Sequence, residues 1–399
     1  MASDGSTRAY HFYPRRSLAA LSILWSSIRD EPTELQLPLK FWIEQAIWGL
    51  SWMNRWRPDG YSHVNQYMTG VYYVPSGVAE CSPMYNLLGS SPRRGKRASL
   101  VKVWSTIETL PASVRVSTGS SASVGVADSS VDYVFVDPPF GSNLYYADLN
   151  YLVESWHRVL TDDSYEAIVN ESNENARSLG AYGDAMAACF VEFFRVLKPG
   201  RWMTVEFSNS SNEVWLSIQE ALSYAGFVVA DTRILDKQQQ SFQQFAAKNA
   251  VKRDLIISAY KPSVETVERF SLVGGTPEGA WEFVREHLGH LPVVEGTRGE
   301  ARVVRERMAD RLYDRMVAYH VHRGVTVPLT AAEFYSGLEQ RFPVRDDMYF
   351  LSEQVEGYER HRMTVKDLVQ AELFITNEQS AVQWLRQLLK RRPASKAEI

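Results

Sequence analysis

Cysteine is scarce: Cys81 and Cys189 are the only two in 399 residues. Two are too few for a disulfide framework or a cysteine-based zinc site, which fits a reducing cytoplasm. Long apolar runs are also missing. The richest stretch, Leu35 to Trp56, is interrupted by Lys40, Glu44, Asn54 and Arg55, whereas a spanning helix needs ~20 nearly uncharged residues. Met1 to Tyr10 is small and polar, without the apolar centre of a signal peptide. The expectation is a soluble, cytoplasmic protein with no membrane partner. No charge of one sign dominates, because the formal net charge is -4. Any nucleic-acid contact must therefore rest on local patches. The eight histidines lack metal-ligand spacing, so no metal is expected, and His320 and His322 read as surface residues of a helix.

The chain is too long for one compact core, and its pattern changes twice. Residues 1–105 read as a helical and aromatic segment packed on the core formed by the next region. Leu18, Leu21, Leu24, Trp25 and Ile28 share one helical face behind Pro14. A second helix is predicted from about Pro38 to Trp56, stopped at Arg57-Pro58-Asp59-Gly60, and Gly70 to Pro75 reads as an extended piece. Arg93, Arg94, Lys96 and Arg97 form a basic loop, either a solvated turn or a contact to a phosphate backbone.

Residues 106–262 alternate between strand and helix patterns. Val114 to Ser117 reads as a short strand running into Gly119 and Ser120, and Asp128-Ser129-Ser130 as a turn. Val131 to Val136 reads as a buried strand of β-branched and aromatic residues. Asp184 is placed to cap a helix reaching Leu197, with Met186, Phe190, Phe193 and Phe194 inward. Lys198-Pro199-Gly200 closes that helix, and Arg201 to Phe207 is the next strand. Glu213 to Tyr224 is a helix stopped by Gly226; a strand follows from Phe227 towards Ile234, then a Gln-rich connection, Gln238 to Ala250, and a strand, Asp254 to Tyr260. This order predicts a doubly wound α/β sheet with one reversed edge pair. Residues 263–399 read as a separate, mainly helical domain. It contains a long helix from Arg298 to Arg323, and capping-box spacings at Thr330 with Glu333 and at Thr376 with Gln379.

The chemistry concentrates where the predicted strand Val131 to Val136 stops, at Asp137-Pro138-Pro139-Phe140. Two prolines can neither continue a ladder nor start a helix at once. The acid is thus left at the carboxyl end of a strand, where open α/β sheets keep their ligand crevice. An exocyclic amino group on a nucleobase is a poor nucleophile because its lone pair is delocalised into the ring. A fixed carboxylate (Asp137) and a backbone carbonyl (Pro138), both accepting hydrogen bonds from that NH2, draw it towards a nucleophilic geometry. Such pre-organised groups are worth about 3 kcal/mol each. Phe140 offers a stacking face worth ~1–3 kcal/mol to a base taken out of the duplex. The blander reading is an acid-Pro-Pro turn that caps a loop.

Asp137-Pro138-Pro139-Phe140, in this strand context, resembles the catalytic motif of amino-group DNA methyltransferases that use S-adenosylmethionine. Aspartate is the form typical of adenine-N6 members, whereas cytosine-N4 enzymes usually carry serine there. Arg195-Val196-Leu197-Lys198-Pro199-Gly200 extends the similarity. Further stretches resemble large bacterial DNA methylases of restriction and phage-defence systems: Phe12 to Arg15, Met53 to Trp56, Asp236 to Gln239, Asp254 to Pro262, Asp347 to Leu351 and Ala381 to Arg386. The resemblance implies a Rossmann-like class I methyltransferase sheet, methyl transfer to adenine N6 of a flipped base, DNA as partner and S-adenosylmethionine as cofactor. Catalysis would fall to Asp137, Pro138, Pro139 and Phe140, and cofactor contact to Gly119, Ser120 and Asp137. Asn143, Tyr145 and Tyr146 are base-pocket candidates, and Lys237, Gln239, Lys248, Lys252 and Arg253 are DNA-contact candidates beside the basic loop.

One family feature is missing. The cofactor loop, an aromatic-x-Gly-x-Gly turn after the first strand, occurs nowhere in the sequence. The chain therefore resembles the downstream part of such an enzyme, lacking the first strands of the sheet. It reads as a fragment, as one half of a split enzyme whose second chain supplies the loop, or as a non-catalytic assembly or DNA-binding subunit. An RNA methyltransferase is a further alternative. Neither cysteine follows a proline, so the Pro-Cys nucleophile of cytosine-C5 methylation is absent.

Overall fold

In the computed structural model, which describes residues 8–56, 74–88, 100–103, 113–141, 146–170, 177–207, 211–235, 254–294, 301–363 and 368–369, the chain divides into two units, Met1–Thr118 with Ser142–Ile168, and Gly119–Gly141 with Val169–Ile399. The helices used below are α1 (Arg15–Ser27), α2 (Thr33–Glu44), α3 (Pro83–Leu88), α4 (Tyr146–His157), α5 (Leu179–Val196), α6 (Asn212–Tyr224), α7 (Val264–Val273), α8 (Pro277–His290), α9 (Ala309–His322), α10 (Ala331–Arg341) and α11 (Ser352–Arg362). The main strands are β1 (Val131–Val136), β2 (Leu197–Phe207), β3 (Val228–Leu235) and β4 (Asp254–Tyr260).

In the first unit α1, α2, α3 and α4 enclose Phe12, Leu21, Ile28, Ile43, Ile47, Leu50, Met53 and Leu152. The predicted stripe of α1 is present, with Leu21 and Ile28 buried. The second helix differs from expectation. It starts at Thr33 behind an extended Pro32, carries Pro38 inside, and stops at Glu44. Beyond it, buried Asn54 donates to the carbonyls of Gly49 (3.0 Å) and Ala79 (2.7 Å). That use of Gly49 fixes a turn where the apolar pattern alone suggests continued helix.

The second unit is built on a four-stranded sheet of order β1-β2-β4-β3. β1 and β2 are parallel, whereas β4 runs antiparallel to both of its neighbours. The reversed element is thus one strand inserted between β2 and β3, and not the reversed edge pair that the sequence suggests. Ile257, Ala259 and Tyr260 of β4 are fully enclosed, as befits a strand with neighbours on both sides. β1 lies at the opposite edge, which corrects the expectation of a buried strand: Tyr133 and Phe135 are 54% and 56% exposed.

Other boundaries move for local reasons. α5 is capped by Ser178, whose Oγ accepts from the Ala181 N–H at 3.1 Å, and Asp184 lies inside the helix. Lys198-Pro199-Gly200 belongs to β2. There β2 bulges between Leu197 and Trp202 while β1 advances only from Val131 to Tyr133, and Gly200 takes φ +73°. A bulge accommodates both a residue without an N–H and a left-handed glycine. Gly226 ends α6 as predicted, with φ +99° and the Phe194 ring 3.2 Å from where a Cβ would sit. Val114 to Ser117 forms no strand; Val116 is 91% exposed, and a β pattern without a ladder partner does not hold by itself.

The helices after Ser263 share one apolar core with the sheet. Phe270, Trp281, Phe283, Leu288, Leu312, Met316 and Phe334 pack with Val228, Ala230 and Tyr260, so no boundary falls at residue 262. The long helix expected from Arg298 is shorter: a two-residue strand at Ala301–Arg302 and a 3-10 turn at Arg305–Arg307 precede α9. The chain breaks because Arg307 turns inward. Its guanidinium donates to the carbonyls of Leu288, Leu291, Pro292 and Tyr349 and to Gln354 Oε1, at 2.7–3.1 Å. Burial pulls it down to about 10, still charged at neutral pH. Next to it Glu306 and Arg315 form a paired bridge at 2.9 and 3.0 Å. His320 is fully buried, not at the surface: it sits on the Leu312–Met316 stripe and its Nδ1 lies 2.7 Å from Met316 O. The Thr330–Glu333 capping box forms as predicted, while Thr376 with Gln379 lies outside the described residues. Among the described residues, no helix is long and apolar enough to cross a membrane, and no cluster of potential ligands could hold a metal.

These buried groups make stability measurable at two points. Arg307→Met removes the guanidinium donor from the carbonyls of Leu291, Pro292 and Tyr349, while Leu288 keeps a donor in Gln354 Nε2, and should cost about 3 kcal/mol or more in urea unfolding. Unchanged stability would show that the carbonyls find other donors.

Acid should act in two windows. Burial pushes the His287 imidazole well below its ordinary 6.5. The unfolded chain therefore takes up that proton first, and stability falls as pH drops below 6.5. Burial also opposes the charge on Glu286, but hydrogen bonds from His290, Thr266 and the Ser263 N–H outweigh it and hold the carboxyl at about 2. Its contribution is present above 4.5 and lost as pH falls towards 2. Denaturation midpoints measured against pH should show both declines. His287→Phe should shrink the upper one and leave the lower.

Candidate functional site

β1 delivers Asp137 to the carboxyl end of the parallel β1–β2 pair, one residue beyond the last register pair, Val136↔Val205. The register Val134↔Met203, Phe135↔Thr204 and Val136↔Val205 sets that position. Met203, Val205 and Phe207 are fully enclosed, so β2 is a rigid support. After Val136 the chain leaves the sheet through Asp137 (exposed), Pro138 (buried), and Pro139 and Phe140 (half-buried). Buried Gly141 then turns it with φ +88°, a backbone state that a side chain would strain.

Two contacts fix the turn. The Phe140 ring stands edge-on to Phe207, with centroids 5.6 Å apart and planes at 88°. Tyr182, 1% exposed on the first turns of α5, donates its hydroxyl to the Pro139 carbonyl at 2.7 Å. The Pro138 carbonyl receives no hydrogen bond from the described residues. The turn therefore commits one proline carbonyl to the fold and leaves the other beside an exposed carboxylate. That pair of acceptors is suited to a donor with two protons, such as an amino group.

Tyr182 is a site residue that the motif does not announce. It lies on the same helical stripe as Met186 and Phe190, both buried. A tyrosine on a buried stripe needs a partner for its hydroxyl, and that requirement is the available signal. α5 is held close to α6: a Cβ at Gly183 would come within 2.6 Å of Ser217 Oγ.

The loop before β1 is strapped to the carboxyl end of α5. Glu192 accepts from the Val124 N–H at 2.8 Å, and Arg195 bonds Glu192, Asp128 and the carbonyls of Val124 and Val126. The Arg195 guanidinium holds the Glu192 carboxyl at about 2. Ser129, at φ +47°, and Ser130 donate their N–H groups to the carbonyls of Arg195 and Val196, both at 2.9 Å. These bonds use helix-end carbonyls that otherwise lack partners, and they fix where β1 begins.

Gly119 and Ser120 sit on the exposed outer part of this loop. Ser120 engages its hydroxyl with the Ala122 N–H (3.2 Å) and its carbonyl with the Ser123 N–H (3.2 Å). A Cβ at Gly119 would meet nothing within 4 Å. This is a self-contained turn and not a cradle that requires glycine. Tyr146 opens α4 in the first unit, where Glu166 accepts from its N–H (2.5 Å) and from that of Ala147 (3.1 Å). Asn143, Tyr145, Arg93, Arg94, Lys96, Arg97, Lys237, Gln239, Lys248, Lys252 and Arg253 lie outside the described residues.

No protein-family model and no curated protein sequence matches the chain. Parts of it are similar to solved structures. The cyclase SpnF is 15% identical with a TM-score of 0.25, over 42% of this chain and 63% of that one. A Thermus thermophilus protein provisionally described as a DNA modification methylase is 16% identical with a TM-score of 0.21, over 40% and 58%. The PvuII DNA methyltransferase (cytosine-N4-specific) is 10% identical with a TM-score of 0.24, over 53% and 86%. The chain thus spans less than two-thirds of the first two structures.

Proposed function

We propose that this chain carries the base-activating part of a DNA methyltransferase acting on an exocyclic amino group, that of adenine N6. One observation carries the reading. At the carboxyl end of a parallel strand, Asp137 directly precedes Pro138, whose carbonyl no described residue engages, in a turn locked by Tyr182. The motif resemblance of Asp137 to Phe140 supports the same chemistry, and its aspartate favours adenine over cytosine N4.

In this reading Asp137 and the Pro138 carbonyl each accept one N–H of the amino group. The nitrogen lone pair is then held towards the attacking direction instead of being delocalised into the ring. Phe140, braced against Phe207, supports the flipped base by stacking. DNA is the partner, and the stretches similar to large bacterial methylases support a role in restriction-modification or phage defence.

The methyl donor implied is S-adenosylmethionine, yet the described residues do not fit it. Gly119 lies in open space, Ser120 is engaged locally, and the sequence has no Gly-x-Gly turn. No donor-binding step is therefore assigned to this chain. The same observation favours a second reading, an assembly subunit that keeps the fold without catalysing transfer. Cofactor titration calorimetry separates the two, since a pure assembly subunit adds no heat of S-adenosylmethionine binding to any complex.

In the assembled enzyme, Asp137→Ala should lower radiolabelled methyl transfer to DNA by about 10²–10³-fold. Far-UV circular dichroism should show the fold retained, because Asp137 lies at the surface beyond the end of β1. Retained transfer would sink the assignment. Tyr182→Phe releases the Pro139 carbonyl and should cost about 1 kcal/mol of stability. As a positioning residue it should also lower kcat about tenfold with KM for DNA unchanged; a stability loss alone would reduce Tyr182 to a packing role.

A further inference from the structure

A chain of net charge -4 must gather its positive groups locally if it is to hold a polyanion. The first unit does so where three of its segments run side by side. The Trp52 N–H bonds the Phe12 carbonyl at 2.8 Å, and the N–H groups of Trp56 and Ala79 bond the carbonyls of Gly77 and Asn54, both at 2.9 Å. Arg16 closes the group on Glu80 at 2.6 Å. Residues 8–16, 52–56 and 74–80 contain four arginines, Arg8, Arg15, Arg16 and Arg55, against one acid, Glu80. No carboxylate of the described residues pairs with Arg8, Arg15 or Arg55. Three large aromatics stand outward among them: Tyr10, Trp52 and Trp56 are 51%, 39% and 53% exposed. Met53 and Asn54, between the two tryptophans, are enclosed, and the Asn54 amide holds this segment to Gly49 and Ala79. Tyr10 meets the His11 ring nearly perpendicular, with centroids 4.5 Å apart. Aromatics turned to water on a fixed backbone are already ordered for stacking, which lowers the entropy cost of binding.

We infer that this surface binds single-stranded nucleic acid, a stretch of about three nucleotides. Each nucleotide carries one phosphate and one planar base. The surface offers the matching groups in equal number: the guanidiniums of Arg8, Arg15 and Arg55, and the rings of Tyr10, Trp52 and Trp56. A guanidinium grips phosphate through paired N–H donors, and an aromatic ring stacks on any base. A duplex keeps its bases stacked on one another and offers this surface only its phosphates, so the rings select the single strand. An acidic peptide would answer the arginines and leave the rings without planar partners. Binding of this kind reads no sequence, because stacking tolerates every base. The inference goes beyond the proposed methyl transfer and does not depend on it, since the surface serves a chain that only carries DNA as well as one that modifies it.

The test uses the full chain and a fluorescein-labelled oligothymidylate, read by fluorescence anisotropy. The single strand should bind about tenfold tighter than its duplex with oligoadenylate. Log affinity should fall against log salt with a slope of about -2, as three phosphate contacts require, and Arg15→Gln should reduce that slope by about 0.7. Trp52→Ala and Trp56→Ala should each weaken binding about tenfold. Trp52→Phe should restore most of the loss, and Tyr224→Ala, at an exposed position of α6, should change nothing. Where circular dichroism shows that an alanine variant has lost its fold, the salt slope of Arg15→Gln decides. The inference is overturned if the single strand does not bind, if its duplex binds as tightly, or if the folded tryptophan variants bind like the native chain. Equally tight binding of polyglutamate would also overturn it and assign the surface to an acidic protein. Strand binding without methyl transfer, by contrast, removes only the proposed activity.

Discussion

The parallel pairing of β1 with β2 is the constraint from which the rest of the candidate site follows. β2 is anchored through Met203, Val205 and Phe207, all without solvent exposure, so the strand beside it inherits a fixed register. Because the register is fixed, the first residue beyond β1 is fixed too, and that residue is Asp137. Tyr133 adds a lateral tie, its hydroxyl donating to Thr204 Oγ1 at 2.6 Å. The straps from Glu192 and Arg195 hold the start of the strand, and Tyr182 holds its exit. An exposed carboxylate thus gains a defined position from buried neighbours without being buried itself. That combination suits a group that must meet a substrate from outside.

The same sheet is stiffened from its far side. β4 lies between β2 and β3, and Tyr260 at its end is stacked on His287 and meets the tilted ring of His290, both on α8. The helices beyond Ser263 close over it, and Arg307 ties the carbonyl end of α8 to the segments around Tyr349 and Gln354. A guanidinium with five donors is one of few side chains that satisfy so many carbonyls at once. Apolar packing and this buried hub therefore bear on the same strands that position Asp137.

Part of this was legible in the residues. Asp254–Tyr260 is read to the residue, since an apolar run bounded by turn signals has few alternatives. Gly226 is read as a stop because α6 needs a left-handed residue there. The strand-end acid is likewise read correctly, as two prolines leave the chain no other course. The pattern says less about partners. Val114 to Ser117 has the residues of a strand and no ladder to join. β1 has the residues of a buried strand and lies at an edge. His320 looks polar, yet its place on the Leu312–Met316 stripe puts it inside. The insertion of β4 between β2 and β3 is a matter of topology, to which local periodicity is blind. Tyr182 on its buried stripe calls for a hydroxyl partner, but which one is not legible until α5 is placed beside the Pro139 turn.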